Sequence, residues 1–223
     1  MSFLAGGQSP ESLIINLENK LQTIKSLEAD FIQVYLPADE TRGLEEKGRL
    51  YLLKPDRMRW DYFSPEKKTF LLQKELMLSA FPEDKQLIRQ PLQGSELKET
   101  ILGLLAGQAK LSDLYAVAVL GSLSDQKTLT LKLEPSNDSE ISQIILEVDR
   151  RRWVIQKVSF FETTGNRQEF RFSRVKINPP LPEGLFELTV PADWEIIQEK
   201  SLPKAKEFLC ASREKLSNKF FVL

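Results

Sequence analysis

Histidine is absent from all 223 residues. Ser-His-Asp and Cys-His nucleophile activation both need an imidazole base, and imidazole is the commonest zinc ligand. Its absence excludes a triad hydrolase and leaves carboxylate, lysine or tyrosine chemistry as the routes to an enzyme. Cysteine is nearly absent. Cys210 stands alone, so no internal disulfide can form, and its neighbours Phe208, Leu209 and Ala211 suit a small buried hydrophobe rather than a reactive thiol. Long apolar runs are missing too: the longest, 114–121, is well under half of the roughly 20 residues that a membrane-spanning helix needs. An excess of one charge is also lacking, with 31 basic residues against 32 acidic ones and no long basic run, which argues against nucleic acid or an anionic membrane as a partner. No phosphate loop, dinucleotide fingerprint, zinc spacing or calcium loop occurs, so neither a metal nor a cofactor is expected. Glu45 with Glu46, or Asp61 beside the arginines of its own strand, are the remaining acid–base candidates. Charged alternation on an exposed strand explains them, and no catalytic residue is assigned.

What is present is 41% hydrophobic residues, enough for a substantial core in one domain. Residues 1–8 lack the basic start and full apolar core of a signal peptide; Phe3-Leu4-Ala5-Gly6 reads as a remnant of one or as a disordered start. Ser9-Pro10-Glu11 then has the form of a helix N-terminus. Leu13, Ile14, Leu17, Leu21 and Ile24 follow at helical spacing, which predicts an amphipathic helix of about four turns. From Leu27 the period changes to two. Strands are predicted at about 28–36, 44–53, 57–63, 68–73, 76–81, 85–90, 113–120, 127–134, 141–148, 152–161, 167–177 and 185–190, with turn residues between them, as in an antiparallel meander. Allowing for mergers, about eleven strands are too many for a flat open sheet, so the sheet must curl, and its concave face must be filled. A second helix over 95–106, capped by Ser95 and ended by Gly107, carries Ile101, Leu104 and Leu105 and supplies one filler. Its Gly103 makes it the candidate mobile element. The fold class expected is mainly β with α: a curled antiparallel sheet, an incomplete barrel, covered on its concave face by helices. A last helix is expected after Ser201, within a helical extension over 198–223 that ends in Phe220-Phe221-Val222-Leu223.

The most informative stretch is 48–62. Leu50 and Leu52 alternate with Tyr51 and Leu53, a turn follows at Lys54-Pro55-Asp56-Arg57, and then Met58, Trp60 and Tyr62 alternate with Arg57, Arg59 and Asp61. Period-two geometry places the three adaptable apolar side chains on one face and the three charges on the other, which should face solvent. Proline at the second turn position predicts a type I turn.

This hairpin, a strand ending in Lys-Pro and a return strand ending in Trp-Asp-Tyr, resembles the signature hairpin of LolA-type periplasmic carriers of outer-membrane lipoproteins. Ala29-Asp30-Phe31-Ile32-Gln33 is similar to that family's first strand. Residues 171–182, Arg-Phe-Ser-Arg-Val-Lys-Ile-Asn-Pro-Pro-Leu-Pro, and Leu185-Phe186-Glu187-Leu188 resemble its closing strands. In order, these span roughly Ser9 to Ile197, so a carrier domain over 9–197 is expected.

The resemblance implies a periplasmic, non-enzymatic carrier that shields lipoprotein acyl chains in a hydrophobic cavity. It would receive acylated lipoproteins from an inner-membrane lipoprotein-releasing ABC transporter and deliver them to an outer-membrane lipoprotein acceptor, acting as a monomer. The cavity residues expected are Leu50, Leu52, Met58, Trp60, Tyr62, Leu13, Leu17, Ile101, Leu104 and Leu105. In the family the position before the turn proline is commonly arginine, reaching to the helical lid; here Lys54 would be that latch. A different reading of the same fold is a lipid- or lipoprotein-sensing regulatory module, which would usually bring a second domain. A third is a structural domain whose concavity is filled by its own side chains.

Overall fold

The computed structural model describes residues 9–91, 110–121, 127–136 and 140–199. The expected helix over 95–106, residues 1–8 and the terminal helix with Cys210 lie outside the described residues. Helix α1 runs from Pro10 to Thr23. The Ser9 hydroxyl accepts a hydrogen bond from the Ser12 N–H at 3.3 Å, and Pro10 opens the first turn where no N–H is needed. Leu13, Leu17 and Leu21 are its buried stripe.

Strands β1 (Ser26–Leu36), β2 (Leu44–Leu53), β3 (Arg57–Ser64), β4 (Lys68–Gln73), β5 (Leu76–Phe81) and β6 (Gln86–Pro91) form one antiparallel meander. A short helix, α2 (Leu111–Leu114), leads into a second: β7 (Tyr115–Leu120), β8 (Thr128–Pro135), β9 (Ile141–Asp149), β10 (Val154–Glu162) and β11 (Arg167–Ile177). Antiparallel pairing of β1 with β11 joins the two. With β12 (Glu195–Gln198) lying parallel to β6, they make, among the described residues, one sheet of 12 strands, ordered β12-β6-β5-β4-β3-β2-β1-β11-β10-β9-β8-β7. The sheet curls without closing. Bulges where β1 meets β11, where β2 meets β3 and where β9 meets β10 add local twist.

The sheet buries apolar side chains on both faces of β4–β6. Its inner face carries the large cluster that includes Leu50, Leu52, Met58, Trp60, Phe70, Leu131, Leu146 and Phe170, and the α1 leucines belong to that cluster. On the outer face Leu71, Leu78, Ala80 and Leu87 pack with Phe186, Leu181, Leu185 and Trp194. Two expectations are corrected here. Residues 185–190 are not a strand: Glu183–Phe186 form a 3-10 turn, because Leu185, Phe186, Leu188 and Val190 bury against the outer face rather than joining a strand edge. Arg57, Arg59 and Asp61 are therefore not left in water. The Arg59 guanidinium bonds Asp61 at 2.9 Å and donates to the Leu185 carbonyl at 2.8 Å, and Arg57 lies 5.6 Å from the centre of the Phe186 ring. The turn differs as well. Leu53 pairs with Arg57, so the loop is Lys54, Pro55 and Asp56 rather than a type I turn closed by Arg57, and the Lys54–Pro55 peptide is cis.

Two predictions arise from this framework. Gly48 pairs with Phe31 on one side and Tyr62 on the other. A Cβ there would fall on the Phe31 ring and the Asp61 carbonyl, and Phe31 is locked among aromatic neighbours. Gly48→Ala should cost about 1–3 kcal/mol as overpacking, read as a lower urea midpoint at unchanged slope.

The second concerns Asp30, on the outer face of β1 beside Arg49, whose Nε is 2.7 Å away, and Arg174. Burial alone pushes this carboxyl up, but the bonds and charges of the two arginines outweigh it and hold the group below its ordinary value. A depressed folded value means the stabilisation is complete above the ordinary aspartate range and is lost as pH falls through the depressed value. Asp30→Asn should flatten the acid limb of a Tm-versus-pH curve and change it little near neutrality in shape.

Candidate functional site

The inner face is assembled row by row. Register pairs Leu52 with Met58, Leu50 with Trp60 and Gly48 with Tyr62, so the five apolar residues expected from the hairpin share one face, and all are buried. Leu13 and Leu17 of α1 are fully buried in the same cluster. Next to β3, Phe31 meets Trp60 and Tyr62 edge-on, each at 4.9 Å between ring centres, and Phe170 lies 5.4 Å from Trp60. Ile101, Leu104 and Leu105 lie outside the described residues.

Beneath the last turn of α1 the face opens into an apolar pocket. Leu21, Ile24, Leu27, Ala29, Leu50, Leu52, Met58, Val154, Ile155, Phe172 and Val175 line it, and its free volume is about 30 Å³. A water needs about 10–15 Å³ of such space, so there is room here for about two and not for an acyl chain. At this point of the face the protein's own side chains, α1's Leu21 among them, leave little free space. Of the expected cavity residues, Leu50, Leu52 and Met58 line the pocket; Trp60, Tyr62, Leu13 and Leu17 belong to the surrounding cluster. Sequence reasoning missed Leu27, Ala29, Phe172 and Val175; alternation in β1 marks Leu27 and Ala29, but Phe172 and Val175 share a face only because the alternation of β11 breaks at Arg174, whose φ is +51°. Val154 and Ile155 carried no such signal.

Polar groups bracket the pocket on two sides. At the α1 end, the Lys54 ammonium donates to the Leu21 carbonyl at 2.6 Å, and its backbone N–H donates to the Lys25 carbonyl at 2.9 Å. Lysine at a helix C-terminus satisfies a free carbonyl and complements the dipole. Partial burial pushes this ammonium below the ordinary lysine value. Asn178 holds the same end, its side-chain oxygen accepting from the Lys25 N–H at 2.7 Å. Along the strands in the other direction lies a buried polar group. Lys68 bonds Glu46 at 2.5 Å and sits 4.6 Å from the Tyr62 ring centre, while Tyr62 donates to Gln33 at 2.5 Å. Burial, and then the Glu46 carboxylate, push the Tyr62 phenol well above its ordinary value, so it stays a donor.

The family of outer membrane lipoprotein carrier proteins, LolA, matches over residues 22–189, three quarters of the chain. The chain belongs to the LolA family. The matched span contains every pocket-lining residue but Leu21. An outer-membrane lipoprotein carrier protein of Pseudomonas putida is 26% identical over 196 residues, 87% of this chain and 90% of its own length. One of Coxiella burnetii is 21% identical over 183 residues, 82% of this chain and 85% of its own. Among solved structures, an uncharacterized conserved protein from Thermus thermophilus superposes with a TM-score of 0.57 at 12% identity, covering 86% of this chain and 100% of that one. This last likeness is one of fold. Lys54, the residue that the resemblance puts before the turn proline, bonds the end of α1 among the described residues.

Proposed function

We propose that this chain carries lipoproteins across the periplasm, sheltering their acyl chains between α1 and the concave face of the sheet. It takes acylated lipoproteins from an inner-membrane lipoprotein-releasing ABC transporter and yields them to an outer-membrane lipoprotein acceptor, acting as a monomeric binding protein without a catalytic step. The observation that carries this reading is the pocket under the last turn of α1, lined only by apolar residues. Membership of the LolA family and the names of its relatives point the same way.

The small pocket volume shapes the mechanism. No acyl chain fits until α1 lifts, so cargo and the α1 leucines compete for one surface. Uncovering Leu13, Leu17 and Leu21 costs about 1.5–3 kcal/mol each, whereas a chain of roughly a dozen methylenes regains about 0.8 kcal/mol per methylene. The two terms are of the same order, so the cavity holds a chain firmly enough to carry it and α1's return helps to expel it. Extracting a chain from a bilayer lies beyond this balance, which is why loading needs an energy-driven transporter. Native mass spectrometry of the protein purified from a periplasmic extract tests the reading. Acylated species should accompany the folded protein; a protein that stays free of lipid when produced together with an acylated lipoprotein and its releasing transporter would overturn it.

A further inference from the structure

Trp60 carries an unexplained polar atom. The residue is 7% exposed, and its indole N–H has no hydrogen-bond partner among the described residues. Buried donors are almost always paired, because leaving one unpaired forfeits its hydration without return. The packing does not demand an indole. Phe31, Phe170 and Phe172, at 4.9, 5.4 and 6.3 Å from Trp60 between ring centres, fill the same cluster with no polar atom. Trp60 also adjoins the pocket: it pairs with Leu50 and packs against Phe172, and both of these are in the lining.

We infer that the Trp60 N–H is a specificity-determining donor that receives a carbonyl oxygen of the cargo's acyl linkage, so that the site selects acyl esters or amides over hydrocarbon chains without an acceptor. The inference rests on the acyl-carrier reading and refines it. A bare alkyl chain satisfies the leucines and leaves the donor unpaired, whereas an acyl chain satisfies both. The donor thus distinguishes a lipid anchor from the many apolar chains that an adaptable Met- and Leu-lined face would otherwise accept.

Two synthetic probes isolate this contact: a peptide bearing an S-dipalmitoylglyceryl cysteine, and its S-dihexadecylglyceryl ether counterpart, in which methylenes replace the ester carbonyls. The protein should bind the ester about fivefold to tenfold more tightly, as expected for one neutral hydrogen bond made in a dry site. The indole N–H resonance of Trp60 should move downfield with the ester only. Trp60→Phe should bind both probes equally, at the level of the ether. Phe172→Leu, a packing control in the same cluster, should weaken both probes alike and keep the preference. Equal binding of the two probes by the unaltered protein, or an ester preference that survives in Trp60→Phe, overturns the donor role while leaving the carrier reading intact. Failure of both probes to bind the unaltered protein overturns the carrier reading and this inference with it.

Discussion

Lys68→Met is expected to destabilise the fold by about 3–5 kcal/mol, the usual result of stripping one partner from a buried ion pair. Lys68 and Glu46 have side chains only 5% and 9% exposed and meet at 2.5 Å on the inner face. Without the ammonium, Glu46 is a buried carboxylate with no counter-ion, and Tyr62 loses the cation above its ring. The informative companion is the double substitution Glu46→Leu with Lys68→Met. If the loss comes from the orphaned charge rather than from lost packing, the double variant should recover most of it, because apolar replacements of a buried pair are often neutral or stabilising. Urea unfolding of both single variants and the double closes a thermodynamic cycle, and the coupling should reach 2 kcal/mol or so. A loss below about 1 kcal/mol for Lys68→Met would mean that the pair is as weak as one on the surface.

The elements of this fold were legible because each is amphipathic at its own period. The α1 leucines at 13, 17 and 21 and the two-residue alternation from Leu27 to Tyr62 fix helix and strands, and the unbroken turn spacing fixes a meander. The hairpin's alternation also told which residues share a face, and the need to bury the apolar set told which face. Three things were hidden. Alternation identifies the face but not the row, so Trp60 and Tyr62 could not be separated from Leu52 and Met58, which line the pocket. Val154 and Ile155 reach the pocket through the β1–β11 seam, whose pairing of residues more than a hundred positions apart leaves no local pattern. The segment after Pro182 reads as a strand because Leu185, Phe186, Leu188 and Val190 are apolar, yet these side chains bury against the outer face and cover the arginines instead of pairing with a strand. The reverse error is β12, whose four residues with two exposed glutamate and glutamine ends are too short to show a period.

Lys54→Leu should leave loading intact and slow delivery roughly tenfold. The Lys54 ammonium bonds the Leu21 carbonyl at 2.6 Å, and Leu21 is both the last buried leucine of α1 and part of the pocket wall. A hydrogen bond to a charged group contributes about 1.5–3 kcal/mol, and this one exists only while α1 lies on the sheet. It therefore stabilises the closed, empty state and not the open, loaded one. A leucine in its place removes that bias: each 1.4 kcal/mol taken from closure shifts the balance tenfold toward retained cargo. The cavity lining is untouched, so uptake from the transporter should proceed as in the unaltered protein. Lys54→Arg should move the other way, since a guanidinium offers a planar set of donors to the free carbonyls at the end of α1. Paired loading and transfer assays read the two steps separately. Unchanged behaviour of Lys54→Leu in both would remove Lys54 from the opening equilibrium, and failure at loading would place it in the surface that meets the transporter.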